Sequence, residues 1–187
     1  MPAATDVSRH RAGRHRADRD TVALLAATAL FLASVEFAIP KPVPFVRLGL
    51  ANLPVLIAIA RLDTRSVALV VALKVVGQGF VQGTLFSYVV LFSAAGSIAS
   101  ATIMLIAWRA AGGPLSLIGV SVLGGLASNA AQVAAARYVA FGPTAWLIAP
   151  AFFAIGTVSS ALLGAFAQRF VRTSRWVAEL GRQVPLG

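Results

Sequence analysis

The chain has no cysteine and few acidic residues, and both shortages restrict its chemistry. Without cysteine it forms no disulfide, no thiolate metal site and no cysteine nucleophile. Its six Asp and Glu residues include no Asp-Asp-x-x-Asp sequence that would hold the magnesium of a diphosphate substrate. The glycine-rich stretches lack the Lys-Ser/Thr ending of a phosphate-binding loop. We therefore predict that the chain is not an enzyme and that it has no metal site and no cofactor.

Charged residues are also scarce, at 12% of the 187 residues, whereas 58% are hydrophobic and the mean hydropathy is +0.83. A water-soluble domain needs a more polar surface than this composition supplies. A membrane-spanning helix needs about 20 mainly apolar residues, so the chain has room for about six of them. These features predict an all-α integral membrane protein, a six-transmembrane-helix bundle in the lipid bilayer of the plasma membrane.

Six apolar segments can be delimited between polar or proline-rich connections. Their predicted bounds are 21–39, 48–60, 66–80, 85–108, 115–140 and 145–166. The second is short for a complete span at about 1.5 Å per residue, which indicates a tilted helix or one that begins beside a protein-lined cavity. We expect a disordered basic cytoplasmic tail over 1–20, a transmembrane domain over 21–169 and a basic cytoplasmic segment over 170–187.

The basic residues predict the orientation of the bundle. If the N-terminus is cytoplasmic, twelve Lys and Arg residues fall on the cytoplasmic side and three on the outer side, with Lys74 inside the membrane. Cytoplasmic loops of membrane proteins carry the excess of Lys and Arg. Both termini are therefore predicted to be cytoplasmic. The same clustering at segment ends, without interleaved aromatic residues along one face, argues against a nucleic-acid groove.

Small residues recur four positions apart in the first segment, where Ala23 precedes Ala27 and Ala29 precedes Ala33. This spacing allows the backbones of two helices to approach closely. One interpretation is internal packing of the bundle. The other is a docking face for a partner membrane subunit.

Polar residues at membrane depth are costly unless they face a cavity or one another. In this sequence they cluster toward the predicted outer half of the bundle, at spacings that place them on single helix faces. We predict these as substrate-binding residues: Glu36, Arg47, Asn52, Lys74, Gln78, Asn129 and Gln132. Donors outnumber carboxylates, which would suit a ligand rich in carbonyl, carboxylate or phosphate acceptors. Alternatively, Glu36 and Lys74 form a buried ion pair while the amides bridge helices.

Four stretches of the sequence resemble the Gx transporter family, also labelled heptaprenyl diphosphate synthase component I. They are Glu36 to Pro40, Pro44 to Asn52 with its Gly-Leu-Ala-Asn ending, Lys74 to Gly79, and Gly119 to Gln132. The resemblance extends over residues 23–169. Ser128 stands where family members usually have histidine, so no histidine role is carried over.

The family is similar to the substrate-binding S components of energy-coupling factor (ECF) vitamin transporters. The resemblance therefore implies a six-helix fold, a small-molecule ligand bound from the outside, a transmembrane scaffold subunit and two cytoplasmic ATPases. The leading hypothesis is a substrate-binding membrane subunit for vitamin-type uptake. The second is a non-catalytic membrane component associated with polyprenyl diphosphate or quinone metabolism, as the family's other label suggests. A third is a purely structural membrane adaptor.

Overall fold

The computed structural model describes residues 3–39, 48–111, 115–175 and 177. Within these residues the protein contains six α-helices and no strand. The helices are α1 (Ala3–Ala38), α2 (Leu53–Arg61), α3 (Thr64–Val81), α4 (Tyr88–Ala110), α5 (Leu117–Ala136) and α6 (Ala145–Thr173). A short 3₁₀ turn, Leu50–Asn52, precedes α2, and a π-helical turn, Arg137–Phe141, followed by a 3₁₀ turn, Gly142–Thr144, joins α5 to α6.

Four helical stretches of the described chain are long and apolar enough to cross a membrane, and the chain is a multi-pass membrane protein. They are Arg19–Ala38, Thr64–Val81, Val89–Ala110 and Leu117–Thr173. The last stretch contains both α5 and α6, since the turns that join them are themselves helical. The remaining apolar helical segment, Leu50–Arg61, is shorter and includes α2.

Capping residues explain where three of the helices begin. The Asp63 carboxylate accepts a hydrogen bond from the Arg65 N–H at the start of α3. Ser87 and Ser116 do the same for the first turns of α4 and α5, at 3.2 Å in each case. Each cap satisfies a backbone N–H that has no partner inside the helix, and this favours a helix start at that residue.

Helix α1 differs from the expectation for the N-terminal segment. We expected a disordered tail over residues 1–20, but the structure continues α1 back to Ala3. The tail is rich in Ala and Arg, both good helix formers, and it is joined directly to an apolar helix. Extending an existing helix avoids the cost of nucleating a new one, which accounts for the difference.

The four alanines predicted as a docking face lie on two different faces of α1. Ala29 and Ala33 are buried, at 0% and 4% exposure, whereas Ala23 and Ala27 are exposed. The pairs lie six positions apart, which is about 240° around a helix. The docking prediction is therefore wrong for Ala29 and Ala33, which pack inside the chain. Ala23 and Ala27 remain available as a docking face.

The apolar core occupies one end of the bundle, where α2 and the first half of α3 meet the second half of α4 and the start of α5. Its largest fully buried side chains include Leu56, Val67, Val70, Met104 and Val120. Helix α4 packs extensively on α5, and α5 on α6, while α1 packs mainly on α3. Most of the buried polar side chains lie toward the opposite end, and an apolar cavity of about 340 Å³ beside the core is lined by residues of α3 and α4.

Candidate ligand-binding site

Two adjoining cavities lie at the end of the bundle where α1, α3 and α5 finish and α4 and α6 begin. One has a volume of about 320 Å³ and mainly apolar walls, and we call it the apolar chamber. The other has a volume of about 40 Å³ and is lined mostly by polar residues, and we call it the polar chamber. Glu36, Gln78 and Gln132 line both. The chambers are therefore two parts of one site.

Aromatic side chains supply much of the wall of the apolar chamber. Phe37 comes from the end of α1, Phe92 from the start of α4, Phe141 from the π-helical turn and Phe152 from the start of α6. Phe92 and Phe152 are buried, at 8% and 5% exposure. A concave apolar surface with a few polar groups at its floor is the usual form of a small-molecule site.

The polar chamber is lined by amides, hydroxyls and two charged groups. Its polar residues are Glu36, Asn52, Lys74, Gln78, Ser93, Ser97, Ser128, Asn129, Gln132 and Ser160. Glu36, Lys74, Gln78, Asn129 and Gln132 are each between 4% and 7% exposed. Such groups are costly to bury without partners, so their hydrogen bonds indicate which of them are already satisfied within the protein.

Glu36 is a structural cap as well as a wall residue. One carboxylate oxygen accepts from the Gly49 N–H at 3.2 Å and the other accepts from the Leu50 N–H at 2.9 Å. Gly49 has φ +81°, a conformation that glycine adopts readily and that directs both N–H groups toward the end of α1. The carboxylate therefore lies at the positive N-terminal end of the 3₁₀ turn that leads into α2.

Lys74 and Asn52 connect α3 to the same turn. The Lys74 ammonium group donates a hydrogen bond to Oδ1 of Asn52, and both residues line the polar chamber. The Glu36 carboxylate thus accepts from backbone N–H groups, and the Lys74 ammonium group donates to an amide oxygen. The ion pair between Glu36 and Lys74 stays a prediction.

Asn129 and Gln132 are held by neighbours on α5 and α6. Asn129 Nδ2 donates to the carbonyl oxygen of Phe152 at 2.9 Å, which joins the two helices. Gly156 permits this contact, because a Cβ atom at that position would collide with the Asn129 amide. Gln132 Nε2 donates to Ser128 Oγ at 2.9 Å, one turn earlier on α5. The prediction that amides bridge helices therefore describes Asn129 well.

The π-helical turn brings a fourth aromatic residue to the apolar chamber. A π turn places one extra residue in the helix and shifts the side chains that follow it. Phe141 ends this turn and lines the chamber, while Arg137 at its start stacks on the rings of Tyr138 and Trp146. The guanidinium carbon lies 5.5 Å and 5.6 Å from the two ring centroids, within cation–π range.

Of the seven residues predicted for the site, six line the polar chamber: Glu36, Asn52, Lys74, Gln78, Asn129 and Gln132. Arg47 lies outside the described residues. Sequence reasoning missed the phenylalanines, which are too common in membrane helices to stand out. It also missed Ser93 and Ser97 of α4, although their spacing of four on one helix face was a usable signal.

The described residues contain no group of three or more His, Asp and Glu side chains that is suited to a metal ion. The walls of the two chambers supply apolar contacts, hydrogen-bonding groups and the charges of Glu36 and Lys74.

The fold and the two chambers together define a class, a multi-pass helical membrane protein with a mixed apolar and polar cavity at one end of its bundle. The model of the family described as "Heptaprenyl diphosphate synthase component I" matches residues 25–170. The chain belongs to this family, which is also known as the Gx transporter family. The words "component I" imply association with other subunits. No curated protein and no solved structure matches the chain.

Proposed function

We propose that this chain is the substrate-binding membrane subunit of a transporter for uptake of a small, vitamin-type molecule. The observation that carries the proposal is the two-chamber cavity, where a buried polar floor continues into an apolar space of about 320 Å³. The polar residues distinguish this cavity from the apolar cavity of about 340 Å³ between α3 and α4, which is lined by aliphatic side chains, alanines and two threonines. A site that binds and orients a small molecule needs both an apolar space and a few polar groups.

The distribution of basic residues supports entry of the ligand from the outside. Arg61 and Arg65 flank the α2–α3 connection, Arg109 lies near the end of α4, and Arg169 and Arg172 lie near the end of α6. All of these positions are at the end opposite to the chambers. With cytoplasmic termini and six spans in the plasma membrane, the positive-inside rule places the chambers at the outer face.

The proposal includes partners, since the chain carries no nucleotide-binding motif of its own. By resemblance to ECF S components, a transmembrane scaffold subunit would dock on the exposed Ala23 and Ala27 of α1, and two cytoplasmic ATPases would supply energy. The chain itself is non-catalytic in this proposal. The family description supports association with other subunits without naming them.

A second candidate is a non-catalytic membrane component associated with polyprenyl diphosphate or quinone metabolism. Two observations favour it: the description of the family, and the mainly apolar walls of the chamber of about 320 Å³. The two candidates differ in the molecule bound and in what happens to it, namely transport in one case and presentation to a synthase in the other.

Binding assays on the full chain in lipid nanodiscs test both candidates. We expect one class from a panel of vitamins, flavins, prenyl alcohols and prenyl diphosphates to raise the thermal stability and to bind saturably. Reconstitution with a companion scaffold and ATPases should then give ATP-dependent uptake of that class. Saturable binding without uptake in the assembled complex would favour the second candidate. A folded protein that binds no panel member would overturn the transporter proposal in favour of a structural adaptor.

A further inference from the structure

Asn52 holds an unused amide nitrogen in the wall of the polar chamber. An ammonium group can only donate, so the Asn52 atom that Lys74 contacts is Oδ1, and Nδ2 occupies the other branch of the amide. A Cβ atom on Gly49, which lines the same chamber, would lie 3.5 Å from Nδ2. In the described part of the chain Nδ2 donates no hydrogen bond, and it is not fully buried. Lys74 therefore orients a donor that a bound molecule can use.

The other amides of the chamber keep this excess of donors. Asn129 and Gln132 each use one of two amide N–H groups, and each keeps its amide oxygen as an acceptor. Gln78 Oε1 is fully buried without a partner, so it meets no ligand, whereas Gln78 Nε2 is not fully buried. The hydroxyls of Ser97 and Ser160, which also line the chamber, both donate and accept. The chamber as a whole therefore offers a ligand more donors than acceptors.

Positive charges outnumber negative ones among the described residues at this end of the bundle. Lys74 lines the polar chamber, and Arg137 begins the π-helical turn that supplies part of the wall of the apolar chamber. The acidic residue is Glu36, whose two carboxylate oxygens already accept from the Gly49 and Leu50 N–H groups. This charge distribution attracts a ligand with a negative charge. Hydrogen bonds from the chamber to such a charge are stronger than those to a neutral acceptor.

The volume of the polar chamber limits the size of the charged head group. About 40 Å³ holds on the order of three water molecules. A carboxylate, with one carbon and two oxygen atoms, is of this size. A phosphate ester or a diphosphate is larger and carries a second negative charge. That second charge would lose its hydration beside the Glu36 carboxylate, which is unfavourable.

We propose that the site takes a monocarboxylate, with its carboxylate group in the polar chamber beside Asn52 and Lys74 and its apolar body in the apolar chamber. The body would lie against Phe92 and Phe152, which line the apolar chamber. The inference rests on the proposed function, since it assumes that the two chambers hold a small molecule. It narrows the class of that molecule to one with a single small anionic head.

Four probes with one apolar body test the head group: phenylpropanoate, phenylpropanamide, phenylpropylamine and phenylpropyl phosphate. Binding is measured by calorimetry on the full chain in nanodiscs at neutral pH, with empty nanodiscs subtracted. We expect phenylpropanoate to bind most tightly. The amide has the same size but lacks the charge that strengthens the hydrogen bonds, so it should bind about tenfold more weakly. The amine head only donates and the phosphate head is too large, so both should bind more weakly than the amide.

Two amide-to-acid variants locate the carboxylate group of the probe. Asn52→Asp replaces the unused N–H groups by an oxygen and keeps an oxygen for Lys74, so the protein should fold. It should weaken phenylpropanoate by about tenfold or more and strengthen the amine probe. Gln82→Glu is the control, because it makes the same chemical change on a residue that lines only the apolar chamber. This control should weaken phenylpropanoate less than Asn52→Asp does.

Three results would overturn the inference while leaving the proposed function in place. They are equal affinities for phenylpropanoate and its amide, tightest binding of the amine or the phosphate, and equal weakening of phenylpropanoate by the two variants. The comparison of the four probes on the natural chain decides the matter if Asn52→Asp fails to fold. Absence of binding by all four probes would also overturn the inference. The proposed function would then depend on the wider panel described above, in which binding of another small molecule would still support it.

Discussion

Lys74 of α3 donates a hydrogen bond to Oδ1 of Asn52, the last residue of the 3₁₀ turn before α2. Lys74 is 4% exposed, so its ammonium group lies away from bulk solvent in the wall of the polar chamber. The bond therefore has two roles in the proposed site. It fixes the start of α2 against α3, and it positions the positive charge of the chamber.

Lys74→Met should test these roles separately. It removes a charge-assisted hydrogen bond, and we expect a loss of about 1.5 to 3 kcal/mol in unfolding free energy. If the ammonium group also contacts the bound molecule, affinity for the binding member of the panel should fall roughly ten- to a hundredfold. Thermal denaturation and calorimetry on the same nanodisc sample measure both quantities. Natural affinity in a folded Lys74→Met protein would remove Lys74 from the site.

A double-mutant cycle with Asn52→Leu identifies the partner of Lys74. Because Asn52 accepts from Lys74, the sum of the stability losses in the two single variants should exceed the loss in the double variant. The cycle with Glu36→Gln serves as the comparison. If Glu36 rather than Asn52 is the main partner of Lys74, only the cycle of Glu36→Gln with Lys74→Met should show a double loss smaller than the sum of the single losses.

Glu36 gives a separate stability prediction, because its carboxylate accepts from two backbone N–H groups. Glu36→Ala leaves both groups without this acceptor, and we expect a loss of about 1 to 3 kcal/mol. Glu36→Gln keeps one acceptor oxygen and should lose less. Thermal denaturation of the two variants checks the order. Equal losses would show that the charge, rather than the number of acceptors, stabilises the turn.

Most helix positions could be predicted from the sequence, because long apolar runs between polar connections mark helices in a membrane protein. The predicted segment 145–166 contains most of α6, and 85–108 contains most of α4. The π-helical turn Arg137–Phe141 could not be predicted. Arg137, its first residue, stacks on Trp146 beyond the turn, and no local sequence pattern predicts such a contact.

The candidate site was predictable to the extent that polar residues are rare in membrane helices. This reasoning found Lys74, Gln78 and Asn129, but it could not assign their partners. The acceptors of Asn129 and the donors to Glu36 are backbone groups, which every residue carries and no side-chain pattern reveals. For the same reason the sequence could not show that Gln78 Oε1 is left without a partner.

The orientation of the bundle can be tested with single cysteines, since the natural chain has none. Phe86 lies between α3 and α4 and is fully exposed, and Arg109 lies near the opposite end of α4 and is also exposed. With cytoplasmic termini, Phe86→Cys should react with an impermeant maleimide in intact cells and Arg109→Cys only after lysis. The reverse pattern would invert the proposed topology and place the chambers at the cytoplasmic face.

Asp63, in the connection between α2 and α3, gives a pH prediction. A hydrogen bond from the Ser66 side chain, and then backbone N–H groups of Arg65 and Ser66, hold the pKa of the Asp63 carboxyl below its ordinary value against a raising effect of burial. A lowered folded-state pKa stabilises the protein above the unfolded pKa of about 3.9, and this stabilisation is lost as the pH falls through the folded value.

Asp63→Asn keeps a capping oxygen but removes the titration. Its thermal stability should therefore change less than that of the natural chain between about pH 5 and pH 3. The difference should be small because the carboxyl is largely exposed to solvent and screened. Parallel curves for the two proteins across this range would show that titration of Asp63 does not affect stability.

The docking proposal is tested best by a pair of alanines on opposite sides of α1. Ala27 is exposed, whereas Ala29 is fully buried. Ala27→Leu should leave thermal stability and ligand binding of the isolated chain nearly unchanged, because Ala27 is exposed. It should weaken co-purification with a membrane partner, since leucine prevents the close backbone approach that alanine permits.

Ala29→Leu is the control for internal packing, and it should destabilise the isolated chain by about 1 to 3 kcal/mol because the added atoms enter a filled space. Thermal denaturation of both variants, followed by pull-down from membranes with a co-expressed scaffold subunit, separates the two effects. A stable Ala27→Leu protein that captures the scaffold as well as the natural chain does would show that this face of α1 contacts lipid. Weakened capture together with natural stability would support docking there, because a packing defect lowers both.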